Sequence, residues 1–154
     1  MLNVTSGEYC AGIGGGYMNT NCTCGNITIE GGVITAQGGS YGSGIGTDCG
    51  TATCGDIIIK GGTITAKGGI NAAGIGTGNG FANPVVCGDI TIANTVTKVT
   101  ATAGPNAPYS IGKGSLGGSC GTVTIGGTKY WENNAAVDEA ADYYLRQATI
   151  IYEP

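Results

Sequence analysis

Cys54-Gly55-Asp56-Ile57-Ile58-Ile59-Lys60-Gly61-Gly62-Thr63-Ile64-Thr65-Ala66-Lys67-Gly68-Gly69 holds two short alternating runs, Asp56 to Ile59 and Thr63 to Ala66, separated by one glycine pair and closed by another. The same pattern stands upstream as Cys24-Gly25-Asn26-Ile27-Thr28-Ile29-Glu30-Gly31-Gly32-Val33-Ile34-Thr35-Ala36-Gln37-Gly38-Gly39. It returns more loosely as Cys87-Gly88-Asp89-Ile90-Thr91-Ile92 with Val99-Thr100-Ala101, and last as Cys120-Gly121-Thr122-Val123-Thr124-Ile125-Gly126-Gly127-Thr128. The Cys-Gly pairs begin at 24, 54, 87 and 120, at intervals of 30, 33 and 33 residues, and an Ile-Gly pair at 13, 45, 75 and 111 precedes each copy. A fixed period in this range marks a stacked repeat protein.

The runs alternate with period 2 and lack the apolar spacing of an amphipathic helix, so the repeats are strands with glycine corners. Each unit is expected to contribute three extended pieces: the Ile-Gly segment, the Cys-Gly run and the Thr/Ala run. The fold class expected is all-β, a right-handed parallel β-helix (β-solenoid) of about four coils with a C-terminal cap. Each strand then pairs with its copy in the next coil, about 4.8 Å away. Residues 1–129 form the solenoid, with an N-terminal edge at 1–9 and coils at about 10–43, 44–73, 74–109 and 110–129. Residues 130–154 form the cap. Parity predicts inward columns Ile27/Ile57/Ile90/Val123, Ile29/Ile59/Ile92/Ile125 and Ile34/Ile64/Val99, with Ala36/Ala66/Ala101 in the narrower part.

Only 10% of the 154 residues are charged, histidine is absent and the net charge is −4. No basic patch is present to neutralise phosphates, so nucleic acid is not an expected partner. No run of 18 or more apolar residues predicts membrane insertion. No charged-then-apolar leader opens the chain, so an export signal would lie outside it. The seven cysteines are an odd count. Cys24, Cys54, Cys87 and Cys120 share one repeat position and read as small half-buried fillers. Cys22 and Cys49, in the loops before adjacent copies, are the disulfide candidates, which leaves Cys10 over. The Cys22-Thr23-Cys24 spacing matches no zinc pattern, and no metal or cofactor is expected.

Without histidine, designs built on a nucleophile and an imidazole are excluded. Asp56 and Asp89 fall at equivalent positions of consecutive coils, the spacing of a carboxylate pair for a cation or a sugar. An outward ladder without a cleft is more simply a solvated face, and no catalytic residue is expected. Tyr17, Tyr41, Phe81 and Tyr109 all fall in inter-coil loops, where rings can stack on sugars at one edge of the rod. They are the ligand-binding candidates, with Asp56 and Asp89.

The pattern Ala-Gly-Ile-Gly-Gly-Gly (11–16) followed by Cys-Gly-Asn-Ile-Thr-Ile-Glu-Gly-Gly-Val-Ile-Thr-Ala-Gln-Gly-Gly (24–39) resembles glycine-rich β-helix repeats of secreted or surface proteins of anaerobic bacteria, adhesin-like or carbohydrate-binding-like. The resemblance covers about residues 10–128 and carries no functional residue across. It implies a non-enzymatic extracellular or cell-surface module for adhesion or carbohydrate binding, with a glycan or host-surface partner. The alternative is a structural protein that self-associates through solenoid ends. A polysaccharide-active enzyme and an ice-binding surface rank below both, since Val33, Ile58 and Lys98 interrupt the threonine columns.

Overall fold

The computed structural model describes residues 1–17, 21–81, 83–115 and 117–154. The chain winds into a β-solenoid of about four turns. After β1 (Leu2–Thr5), the first coil holds β2 (Ile13–Gly14), β3 (Cys22–Cys24), β4 (Ile27–Ile29) and β5 (Val33–Gln37). The second holds β6 (Ile45–Gly46), β7 (Ala52–Cys54), β8 (Ile57–Ile59) and β9 (Thr63–Lys67). The third holds β10 (Ile75–Gly76), β11 (Val85–Cys87), β12 (Ile90–Ile92) and β13 (Lys98–Thr102). The fourth supplies β14 (Ile111–Gly112), β15 (Gly118–Cys120) and β16 (Val123–Ile125). The tail follows as β17 (Thr128–Glu132), β18 (Ala135–Ala136), α1 (Glu139–Leu145) and β19 (Thr149–Tyr152).

Four parallel walls run along the rod, with like residues in register, such as Ile57 against Ile27 and Ile90, and Ile64 against Ile34 and Val99. The inward columns predicted from parity are the core: Ile57, Ile59, Ile64, Ile90, Ile92 and Val99 are fully buried. A coil has four strands rather than the three pieces expected. The Cys-Gly run breaks into two, because Gly55-Asp56 and its equivalents lie outside strands and turn the chain between walls.

That corner has a physical cause in the neighbouring coil. Asn26 Oδ1 accepts the Asp56 backbone N–H at 2.9 Å, Asp56 Oδ1 accepts that of Asp89 at 2.9 Å, and Asp89 Oδ1 accepts that of Thr122 at 2.8 Å. The glycine before each receiver leaves room for this latch: a Cβ on Gly88 would meet Asp56 Oδ1 at 2.3 Å. A second relay runs near the Ile-Gly wall. Thr47 Oγ1 accepts the Gly78 N–H at 2.8 Å, and Thr77 Oγ1 accepts that of Gly114 at 2.7 Å.

The two ends differ. At the base, β1 pairs with β5 and covers one wall. Strands β2, β3 and β4 have no partner beneath them among the described residues. At the top, β19 lies antiparallel on β13, and β17 folds back antiparallel on β16 through Gly126-Gly127, both at positive φ. The helix between them is capped by Asp138, whose carboxylate accepts the Ala141 N–H at 2.7 Å. Trp131, Leu145 and Ile150 close the core. Lys98 pairs with Glu153 at 2.7 Å and pins the last strand to the rod.

Candidate functional site

Tyr9 and Tyr41 stand at the glycine-rich corners between the threonine-bearing wall and the Ile-Gly wall, while Tyr17 and Phe81 stand in the loops that lead from the Ile-Gly wall to the β3-β7-β11-β15 wall. Backbone contacts set the levels. The Tyr41 N–H donates to Glu8 O at 3.2 Å, and the Asn79 N–H donates to Tyr41 O at 2.9 Å. Across these adjoining loops Tyr17 meets Tyr9 at 4.8 Å between centroids, Tyr9 stacks on Tyr41 at 5.7 Å and 14°, and Tyr41 meets Phe81 edge-on at 4.9 Å. Asn79 Oδ1 accepts the Phe81 N–H at 2.9 Å and holds a turn in which Phe81 takes a φ of 48°. Tyr17 and Phe81, at the ends of this ribbon, are each 45% exposed, while Tyr9 and Tyr41 are half-buried by each other. Of the loop aromatics singled out by sequence, three are brought together. Tyr9, which joins them, was assigned only to the N-terminal edge.

A shallow groove of about 550 Å³ lies beside the ribbon, lined among others by Ser6, Glu8, Gln37, Ser40, Lys67 and Pro105. Neighbouring residues divide the work. Glu8 and Ser40 face the groove, while Tyr9 and Tyr41 build the ribbon. Glu8 is also the main influence raising the Tyr9 pKa. Hydroxyls, amides, one carboxylate and one ammonium therefore lie next to a strip of rings.

The other candidates fall elsewhere. Tyr109 is 4% exposed and belongs to the cap, not to a binding edge. Its hydroxyl donates to Asp142 at 2.9 Å and accepts from Arg146 at 2.8 Å, and its ring meets Trp131 edge-on at 5.1 Å. Burial, then the hydrogen bond to Asp142, pushes its pKa up to about 12. Asp56 and Asp89 each commit one carboxylate oxygen to the backbone of the next coil, so the carboxylate ladder is a latch. Among the described residues no group of three or more His, Cys, Asp or Glu side chains is arranged to hold a metal ion.

The expected Cys22–Cys49 bridge is absent: all seven cysteines are free thiols. Cys22 donates instead to Gly16 O at 2.6 Å. Cys24, Cys54, Cys87 and Cys120 form a column in the β3-β7-β11-β15 wall. Burial first, and the Cys24 thiol second, raise Cys54 to about 12, while the hydrogen bond with Cys120 and burial hold Cys87 well above the ordinary thiol range. Cys54 and Cys87 are therefore inert at neutral pH.

Asp48 was not singled out by sequence. It is 1% exposed, and neither carboxylate oxygen has a hydrogen-bond partner of good geometry. It lies over Gly15, where the first coil lacks the threonine that Thr47 and Thr77 supply in the next two. A Cβ on Gly15 would meet Asp48 Oδ1 at 2.8 Å. The carboxylate occupies the space left by the missing hydroxyl, and burial raises its pKa to about 6.

Comparison with protein-family models, with curated proteins and with solved structures returned no match. No described helix is long and apolar enough to cross a membrane.

Proposed function

We propose that this solenoid is a non-enzymatic carbohydrate-binding module of an extracellular or cell-surface protein. The observation that supports it is the continuous ribbon Tyr17-Tyr9-Tyr41-Phe81 alongside a polar groove. Two adjoining sets of loops supply these rings, Tyr9 and Tyr41 from one and Tyr17 and Phe81 from the next. A chain of sugar residues lying along the rod axis meets the open surfaces of Tyr17 and Phe81 while its hydroxyls reach Glu8, Gln37, Ser40 and Lys67. The exposed rings supply apolar contact, and the groove supplies direction through hydrogen bonds.

The test is a glycan array probed with the wild-type chain, with Tyr17→Ala and Phe81→Ala, and with Tyr109→Phe as a control inside the cap. Binding that both ribbon variants lose and the control keeps supports the reading. A blank array with folded protein, or binding unaffected by either ribbon variant, sinks it.

A second reading, self-association, is favoured by the base. Among the described residues three walls end there in unpaired strands, β2, β3 and β4, against two, β14 and β15, at the top, where β17 and β19 cover the other walls. The more open base favours a base-to-base pair. Sedimentation that stays monomeric at high concentration removes this reading.

A further inference from the structure

We propose that Cys10 and Cys49 are the redox-active pair of this chain and form a disulfide by exchange with a low-molecular-weight disulfide, clamping the N-terminal segment to the second coil beneath the aromatic ribbon. The two cysteines come from different levels of the rod, but their backbones touch. The Cys49 N–H donates at 3.2 Å to the carbonyl of Tyr9, the residue bonded to Cys10. One such contact between flanking peptide groups sets Cα atoms roughly 5 to 6 Å apart, within the range that a disulfide spans. Both residues lie in bends outside strands, and Gly50, at a φ of 81°, follows Cys49, so the backbone can adjust.

The alternatives are less well placed. The Cys10 thiol is close enough to Cys49 to contribute to its raised pKa, a contribution Cys22 does not make. Cys22 is turned to Gly16 O and feels Asp48 and Cys24 instead. The column thiols are joined to one another within their wall.

Accessibility orders the chemistry. Cys10 is half-buried, whereas Cys49 is 2% exposed. The Cys10 thiolate attacks one sulfur of oxidised glutathione, and the first glutathione leaves as thiol. Cys49 then loses its proton and attacks the Cys10 sulfur, expelling the second glutathione. Two protein thiols are oxidised and one glutathione disulfide is reduced to two thiols. Burial raises Cys49 to about 11, so the second step is slow at neutral pH and quickens as pH rises.

The bond does not depend on a glycan ligand, so its test stands apart from that of the binding reading. The folded chain is equilibrated over a series of oxidised-to-reduced glutathione ratios, alkylated at low pH, digested and mapped by mass spectrometry. The expected result is a linked peptide pair carrying Cys10 and Cys49, with Cys22 alkylated, and a melting temperature roughly 10 °C above that of the reduced chain. Cys10→Ser and Cys49→Ser each abolish the link without moving it to Cys22. Linkage of Cys49 to Cys22 or to a column cysteine overturns the proposal. So does recovery of Cys10 and Cys49 unlinked at the most oxidising ratio, whether alkylated or carrying glutathione.

Discussion

The carboxylate of Asp56 accepts the backbone N–H of Asp89, 33 residues later in sequence and one coil further along the rod, at 2.9 Å. The contact joins two coils through a side chain where the wall strands themselves are interrupted. It also explains the residue before the receiver, because Gly88 lies under the same carboxylate.

Gly88→Ala is therefore expected to destabilise the fold by roughly 1 to 3 kcal/mol, since a Cβ would meet the Asp56 carboxylate at 2.3 Å and displace it from the Asp89 N–H. Gly25→Ala is the matched control. No coil lies below it and its Cβ meets nothing within 4 Å. Urea unfolding of the two variants should show a midpoint shift for the first and little for the second. Equal shifts would mean that ordinary glycine effects, not the latch, set the requirement.

Asp48 predicts a pH dependence with a definite sign. Its folded pKa, about 6, lies above the ordinary aspartate value of 3.8. The stabilisation from holding its proton is complete below about pH 4 and is lost as pH rises through 6, amounting to about 2 to 3 kcal/mol. Asp48→Asn should be more stable than wild type at pH 7.5, and the difference should shrink towards pH 4.5. Denaturant curves at the two pH values check this, and a variant less stable at pH 7.5 contradicts it.

Ribbon and cap aromatics should separate binding from stability. Phe81→Ala and Tyr17→Ala remove rings that are 45% exposed and should change unfolding midpoints little. Tyr109→Ala removes a ring packed on Trp131 and both of its hydroxyl hydrogen bonds, a loss of roughly 3 to 5 kcal/mol. Thermal melts of the three variants make the comparison.

The cap should be required for solubility. Leu145 and Ile150 are fully buried, and β19 pairs β13 along its length. Truncation after Gly127 exposes β13 and β16 as bare edges and is expected to give aggregation, read by light scattering. A monomeric, soluble truncated chain would assign the tail a different role.

Much of this architecture was legible because stacking like on like makes repeat phase and side-chain parity sufficient. The isoleucine columns follow from those two quantities alone. The Gly-Asx corner was not legible, since what excludes a Cβ at Gly88 is an atom contributed 32 residues earlier. It was read as one continuous run, and Asp56 and Asp89 as an outward ladder, because strand parity holds no information about a side chain turned along the rod axis. Of the ribbon, the loop positions of Tyr17, Tyr41 and Phe81 were visible. Tyr9 was not recognised with them, although it precedes Tyr41 by 32 residues, within the coil period. Tyr109 occupies a similar loop, yet the cap covers it. Coverage by a non-repeating tail is a tertiary fact that no period announces.

The relay from Asn26 through Asp56 and Asp89 to Thr122 runs in one direction only, each coil offering an oxygen upward and a glycine downward. An interior coil carries both halves of the joint, so its copy fits above or below it without further change. Gene duplication can thus lengthen or shorten such a rod by whole turns while leaving every junction intact. The first and last turns, each of which carries only one half of the joint, are the ones that cannot be exchanged.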